Sequence, residues 1–105
     1  MELKVIWSEF AEDKLDEIFE YYFENVSELT AKKIANNILT HTDKLSHSPF
    51  IGEIEDILRE RKLEYRYLIY TNYKIIYTVD IPLKLVKISD IFDSRQNPIK
   101  INRLK

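Results

Sequence analysis

The feature that most constrains the fold is the β-forming run from Arg61 to Asp80. It is rich in tyrosine and β-branched residues, which fit a pleated surface. Thr71-Asn72 interrupts it as a tight turn, so the run predicts two antiparallel strands, 63–70 and 73–80. Because side chains alternate along a strand, Tyr73, Ile75, Tyr77 and Val79 are expected on one face of the sheet, and Lys74, Ile76 and Thr78 on the other.

The residues before this run predict one strand and two helices. A short strand is expected over 3–7, followed by a helix that begins after Ser8 as N-cap. Thr30 is expected to cap a second helix, which ends over 46–49 because proline cannot continue it. The apolar positions of the first helix share one face: Ala11, Leu15, Ile18 and Tyr22.

The remaining segments complete an α+β fold in a single domain, 1–105. Gly52, the one glycine, marks a turn, and 53–58 is expected to be a short extended stretch. A last strand is expected over 83–92, after Pro82. The chain therefore predicts an N-terminal strand, an α-helical hairpin and a three-stranded antiparallel sheet, with the hairpin covering the sheet.

The charge is distributed unevenly along the chain. Residues 1–28 carry two basic and nine acidic groups, whereas residues 59–105 carry eleven basic and five acidic groups, within a net charge of -2. A basic second half suits an acidic partner. The chain contains no cysteine and only two histidines, His41 and His47, in poor geometry for metal binding, so no metal or cofactor is expected. No signal peptide or membrane helix is recognisable, and a cytoplasmic location is expected.

The candidate functional residues are the basic groups of the second half. Arg66, Lys74 and Arg95 lie at or near the ends of predicted strands and are expected to share one surface. No nucleophile elbow or phosphate-binding glycine loop accompanies them. A structural role is also open: Arg66 could pair with Asp90 across the sheet, and Arg95 could anchor the chain end through carbonyl groups.

In order and spacing, the residues resemble the RelE/ParE superfamily of bacterial type II toxins, which occur in toxin-antitoxin and plasmid-stabilisation modules. The resemblance spans nearly the whole chain and rests on four groups of residues: Trp7-Ser8 with Ala11, Leu15, Ile18 and Tyr22; Ala31, Ile38, Leu45, Pro49 and Gly52; Arg66 with Tyr73-Lys74-Ile75-Ile76-Tyr77; and Arg95 with Asn97-Pro98. The resemblance implies a cognate antitoxin that wraps around the toxin. It also implies that the toxin contacts DNA only indirectly, through this antitoxin.

The superfamily offers two activities. ParE-like members inhibit DNA gyrase without known hydrolysis, and RelE-like members cut mRNA on the ribosome with basic residues and often a C-terminal tyrosine. Here Lys74 stands where the family usually has arginine, and the tail 99–105 has no tyrosine or histidine. The ParE-like interpretation is therefore favoured. The residues expected to bind the target are Arg66, Tyr73, Lys74, Arg95 and Asn97.

Two alternatives stay open. The first is a ribosome-dependent, metal-independent endoribonuclease in which Arg66, Lys74 and Arg95 contact the phosphate, with its general base unassigned. The second is an inactive family member that only binds its antitoxin. The first alternative would make the protein an enzyme, whereas a ParE-like protein that acts by binding would not be one.

Overall fold

The computed structural model describes residues 2–104, whose elements follow the predicted order. These elements are β1 (Lys4–Trp7), α1 (Glu9–Asn25), α2 (Glu28–Asp43), β2 (Glu53–Ile54), β3 (Arg66–Tyr70), β4 (Tyr73–Asp80) and β5 (Leu85–Asp93). Three short 3₁₀ segments lie at Lys44–Ser46, Asp56–Leu58 and Pro98–Arg103. This arrangement confirms the α+β class.

The five strands form one sheet in the order β1-β5-β4-β3-β2. The predicted antiparallel strands, β3, β4 and β5, occupy its centre, and the two-residue β2 extends it at one edge. At the other edge β1 pairs with β5 in parallel, with Lys4 opposite Leu85 and Trp7 opposite Ile88. The N-terminal strand is therefore part of the same sheet as the C-terminal half.

Helix capping agrees with the sequence for α1 and corrects it for α2. The Ser8 hydroxyl accepts a hydrogen bond from the Ala11 backbone N–H at 3.1 Å, as expected of an N-cap. The expected cap of α2, Thr30, was wrong: Ser27 is the N-cap, and its hydroxyl accepts from the Thr30 N–H at 3.0 Å. Because serine caps at least as well as threonine, the helix begins at the earlier residue.

Two strands begin later in the chain than predicted, because the residues before them lie in loops or turns. The Thr71-Asn72 turn is confirmed, but residues 63–65 lie outside β3, and β5 begins at Leu85 instead of Leu83. The Lys84 N–H donates to the Ile81 carbonyl at 3.0 Å, which closes a turn between β4 and β5. The stretch 53–58 is extended only at β2, since Asp56–Leu58 forms a 3₁₀ turn.

The sheet has two covered faces. The helix face packs against α1 and α2, and the alternation along β4 is confirmed there by Tyr73, Ile75 and Tyr77. The opposite surface, here called the tail face, packs Ile76 and Phe92 against residues of the C-terminal segment 98–104. In that segment Ile101 and Leu104 are buried, and the Arg61 guanidinium donates to the carbonyls of Leu104 and Asn102. Residues 98–104, which include no tyrosine or histidine, thus cover this face of the sheet.

Candidate functional site

A pocket of about 270 Å³ lies where α1 meets the start of β4, the end of β5 and the C-terminal segment. We call it the corner pocket, and it is lined by Lys14, Glu17, Ile18, Tyr21, Tyr73, Ile91, Asp93, Arg95, Gln96 and Arg103. Two of the predicted target-binding residues, Tyr73 and Arg95, meet here. Lys14, Tyr21, Asp93 and Arg103 were not predicted.

Tyr73 lies almost buried at the base of this pocket. It opens β4 opposite Asp93, is 6% exposed, and its hydroxyl donates to the Tyr22 hydroxyl at 3.4 Å. Burial, reinforced by this hydrogen bond, raises the pKa of Tyr73 well above its usual value. The phenol is therefore neutral at physiological pH and can only contribute an uncharged polar group.

Arg95 forms an ion pair with Asp93 at the mouth of the pocket. Its Nε lies 3.0 Å from Asp93 Oδ1 and its Nη2 lies 2.8 Å from Oδ2, while the Arg95 backbone N–H also donates to Oδ1. The guanidinium hydrogen bonds hold the pKa of Asp93 well below its usual range. The expectation that Arg95 anchors the chain end through carbonyl groups was wrong, because its partner is this carboxylate.

Arg103 reaches the pocket from the C-terminal segment and pairs with a buried carboxylate. Its Nη2 lies 2.9 Å from Asp90 Oδ1, and the Asp90 side chain is fully buried. The guanidinium also lies over the rings of Phe10 and Phe92, at 5.6 and 5.3 Å from their centroids. This pairing corrects the expected Arg66–Asp90 pair. Asp90 faces Ile76 across the strands, on the side of the sheet that Arg66 does not share.

Arg66 lies on the helix face, away from the corner pocket. It is opposite Tyr77, its Nη1 donates to the Gly52 carbonyl at 2.9 Å, and its Nη2 pairs with Glu64 at 3.0 Å. Its guanidinium also covers the Phe50 ring at 5.1 Å. These contacts clamp the turn around Gly52 to β3, which is a structural use of the side chain.

Lys74 lies on the other face of the sheet. It is opposite Ile69 and Phe92, both neighbours on the tail face, and its Nζ lies 2.7 Å from Oε2 of Glu55, whose side chain is only 4% exposed. The ammonium also lies 4.3 Å from the centroid of the Tyr67 ring. The expectation that Arg66, Lys74 and Arg95 share one surface was therefore wrong.

Asn97 directly precedes the C-terminal segment 98–104. Its side-chain oxygen accepts from the Ile99 N–H at 3.2 Å, so it caps the 3₁₀ turn that carries Arg103. Asn97 itself is exposed. Among the five predicted residues, only Tyr73 and Arg95 line the corner pocket.

Two titratable groups of the corner pocket, Asp93 and Tyr73, are poorly suited to general acid–base catalysis. The pKa of Asp93 lies far below neutrality and that of Tyr73 far above it, whereas an effective general acid or base has a pKa near the working pH. Within residues 2–104, no three histidine or acidic side chains come close enough to hold a metal ion. No helix in the same range is long and apolar enough to cross a bilayer.

Comparison with known families identifies the class of protein that this fold represents. Residues 5–98 match the model of the ParE toxin of the type II toxin-antitoxin system, parDE. The match covers most of the chain, which therefore belongs to the ParE toxin family. A search of curated proteins finds no match.

Solved structures share the fold at low sequence identity. A chain of the chromosomal ParDE toxin-antitoxin system from P. aeruginosa superposes with a TM-score of 0.71 at 19% identity, over 87% of this chain and 95% of that chain. A chain of the RelBE2 toxin-antitoxin complex from Mycobacterium tuberculosis gives a TM-score of 0.65 at 16% identity, over 89% and 99% of the two chains. Both confirm the RelE/ParE fold.

Proposed function

We propose that this protein is a single-domain, cytoplasmic ParE-like toxin that arrests growth by occupying a surface of a target such as DNA gyrase. A cognate antitoxin neutralises it, and the pair acts in a plasmid-stabilisation type of module. Membership of the ParE toxin family and the fold shared with chains of two toxin-antitoxin systems support this assignment.

The observation that carries a binding mechanism is the separation of the candidate basic residues. Cleavage of RNA requires cations that converge on one phosphate, together with a general base. Arg66 and Lys74 lie on opposite faces of the sheet, and each is paired with a carboxylate, Glu64 and Glu55 respectively. Because the two side chains face opposite sides of the sheet, they do not converge on one phosphate, so the nuclease alternative is disfavoured.

Antitoxin binding is supported by an apolar surface at the far end of the sheet. A groove of about 640 Å³ lies beside the turn between β4 and β5, and Leu63 and Leu83 in its lining are 59% and 67% exposed. Ile6, Ile81 and Leu85 continue the same groove. A contiguous apolar surface of this kind is a common partner site, and we assign it to an apolar segment of the antitoxin.

Two assays on the purified protein test the proposal side by side. In a plasmid supercoiling reaction with bacterial DNA gyrase, we expect inhibition that disappears when the antitoxin encoded beside the gene is added first. In a translation reaction with intact ribosomes, we expect the mRNA to remain uncut. Cleavage within codons, with supercoiling unaffected, would replace this function with the RelE-like one.

A further inference from the structure

We propose that the corner pocket binds an aspartate or glutamate side chain of the target protein, with an apolar neighbour of that residue packed on Tyr21. This inference rests on the proposed function, because it places the target contact on the toxin. The pocket combines hydrogen-bond donors, an apolar floor and an exposed aromatic ring, which are the parts that a protein–protein anchor site requires.

The donors come from two guanidinium groups that keep unused N–H bonds. Arg95 contacts Asp93 through Nε and Nη2, and Arg103 contacts Asp90 and the Ile91 carbonyl through the same two nitrogens. Within residues 2–104, all side-chain hydrogen bonds of the two arginines use Nε or Nη2, so each Nη1 keeps its N–H bonds for another acceptor. Charged donors of this kind make strong, directional bonds to carboxylate oxygens. Their own pairing with carboxylates holds both arginines in place beforehand.

The local charge favours one carboxylate over a phosphate dianion or a nucleic-acid backbone. Three cations line the pocket, Lys14, Arg95 and Arg103, together with the carboxylates of Glu17 and Asp93. The buried Asp90 beside Arg103 brings the local sum to zero. Without excess positive charge, a phosphate dianion or the closely spaced phosphates of a nucleic acid gain little by entering. One carboxylate, delivered as part of a larger protein interface, can use the spare donors.

The apolar residues of the pocket provide a packing surface for the neighbour of the bound carboxylate residue. Ile18 and Ile91 form its floor, and Tyr21 is 57% exposed at its rim. The Tyr21 ring packs edge-on against Tyr22, with centroids 5.1 Å apart and an interplanar angle of 88°. A ring restrained in this way loses little entropy on binding, which is why tyrosine is frequent in interface anchors.

The corner pocket is well separated from the groove assigned to the antitoxin. Tyr73 begins β4 and Asp80, at the groove, ends it, seven residues further on. At roughly 3.3 Å per residue the two sites are about 23 Å apart. Target binding and antitoxin binding should therefore respond to different substitutions.

The test compares pocket variants with a control outside the pocket. Arg95→Ala removes one donor and Tyr21→Ala removes the aromatic rim, whereas Tyr21→Phe keeps the ring. Arg59→Ala is the matched control, because Arg59 is an exposed arginine, 70% exposed against 68% for Arg95, and is likewise paired with a nearby aspartate. Circular dichroism checks that each variant is folded. Binding to the antitoxin encoded by the adjacent gene checks that the antitoxin-binding surface is intact.

We expect Arg95→Ala and Tyr21→Ala each to raise the concentration needed for half-inhibition of gyrase about tenfold, and to weaken growth arrest in parallel. Tyr21→Phe, which keeps the ring, should lose less inhibition than Tyr21→Ala. Arg59→Ala, outside the pocket, should behave like the wild type, and all four variants should bind antitoxin normally. If Arg95→Ala and Tyr21→Ala both leave gyrase inhibition and growth arrest unchanged, the proposal that the corner pocket binds the target is wrong. Equal loss of antitoxin binding would overturn it too, because the occupant would then be the antitoxin.

Growth arrest separates failure of the pocket from failure of the proposed target. The wild type could leave gyrase unaffected while growth arrest still requires Arg95 and the Tyr21 ring. In that case gyrase is the wrong target, and the pocket binds a different target protein. If the wild type binds RNA or DNA and Arg95→Ala abolishes that binding, the carboxylate assignment is wrong.

Discussion

Replacement of Gly52 by alanine should be among the most damaging small substitutions in the chain. A Cβ at this position would lie 2.5 Å from the Tyr77 hydroxyl oxygen, 2.8 Å from Tyr77 Cε1 and 2.7 Å from the Tyr67 carbonyl oxygen. Real Cβ atoms essentially never come closer than 3.0 Å to such neighbours. Glycine is therefore required by close approach.

The cost follows from what holds Tyr77 in place. Tyr77 is fully buried, its hydroxyl donates to the Pro49 carbonyl at 2.8 Å, and it accepts from the Gly52 N–H at 3.0 Å. Moving the ring sacrifices two hydrogen bonds of about 1 kcal/mol each, and overpacking adds about 1 to 3 kcal/mol. Reduced freedom of the unfolded chain returns about 0.5 to 1 kcal/mol. Gly52→Ala should lower the free energy of unfolding by about 2 to 4 kcal/mol.

Urea unfolding followed by fluorescence of Trp7, the single tryptophan, measures this loss directly. Tyr77→Phe should cost about 2 to 3 kcal/mol, since it leaves two buried backbone groups unpaired. The double variant should cost at least about 1 kcal/mol less than the sum, because the closest clash disappears with the hydroxyl. Tyr70→Phe, which loses one half-buried bond from Asn37, is the control and should cost under about 1 kcal/mol. Additive losses, or a neutral Gly52→Ala, would refute this reasoning.

Three further predictions concern paired charges. Arg103→Met strands the buried carboxylate of Asp90 and should cost about 3 kcal/mol in urea unfolding; a loss below about 1 kcal/mol would contradict the pairing. Lys74→Met strands Glu55 and should cost about 2 kcal/mol, yet keep growth arrest when folded; lost arrest would revive the nuclease alternative. The lowered pKa of Asp93, caused by the guanidinium bonded to it, adds stability that is complete above about pH 4 and lost as pH falls through the folded pKa. Melting temperatures of wild type and Asp93→Asn should converge from pH 7 to pH 2, whereas a constant gap would argue against this linkage.

Local signals in the sequence were sufficient to predict most of the fold. The Ser8 cap, the apolar stripe of α1 and the Thr71-Asn72 turn each act over a few residues, and each appears where expected. The cap of α2 was misplaced because Ser27 and Thr30 both suit that position. The parallel pairing of β1 with β5 joins residues about 80 positions apart, and no local pattern specifies it.

The candidate site was less predictable because its partners come together only through folding. Arg103 reaches Asp90 after the chain turns back over the tail face, so the sequence offered Arg66 as an equally reasonable partner. Lys74 finds Glu55, a residue from a stretch with no clear pattern. Tyr73 and Arg95 meet because β4 and β5 are adjacent and antiparallel, which the hairpin prediction did imply.

We propose that this toxin acts by binding and breaks no bond in RNA, and one measurement in cells tests this proposal most directly. After brief induction of the wild type, plasmid topology and the 5′ ends of mRNA are determined from the same culture. We predict loss of negative supercoiling with no new mRNA ends inside codons. New ends inside codons, with plasmid topology unchanged, would contradict the claim.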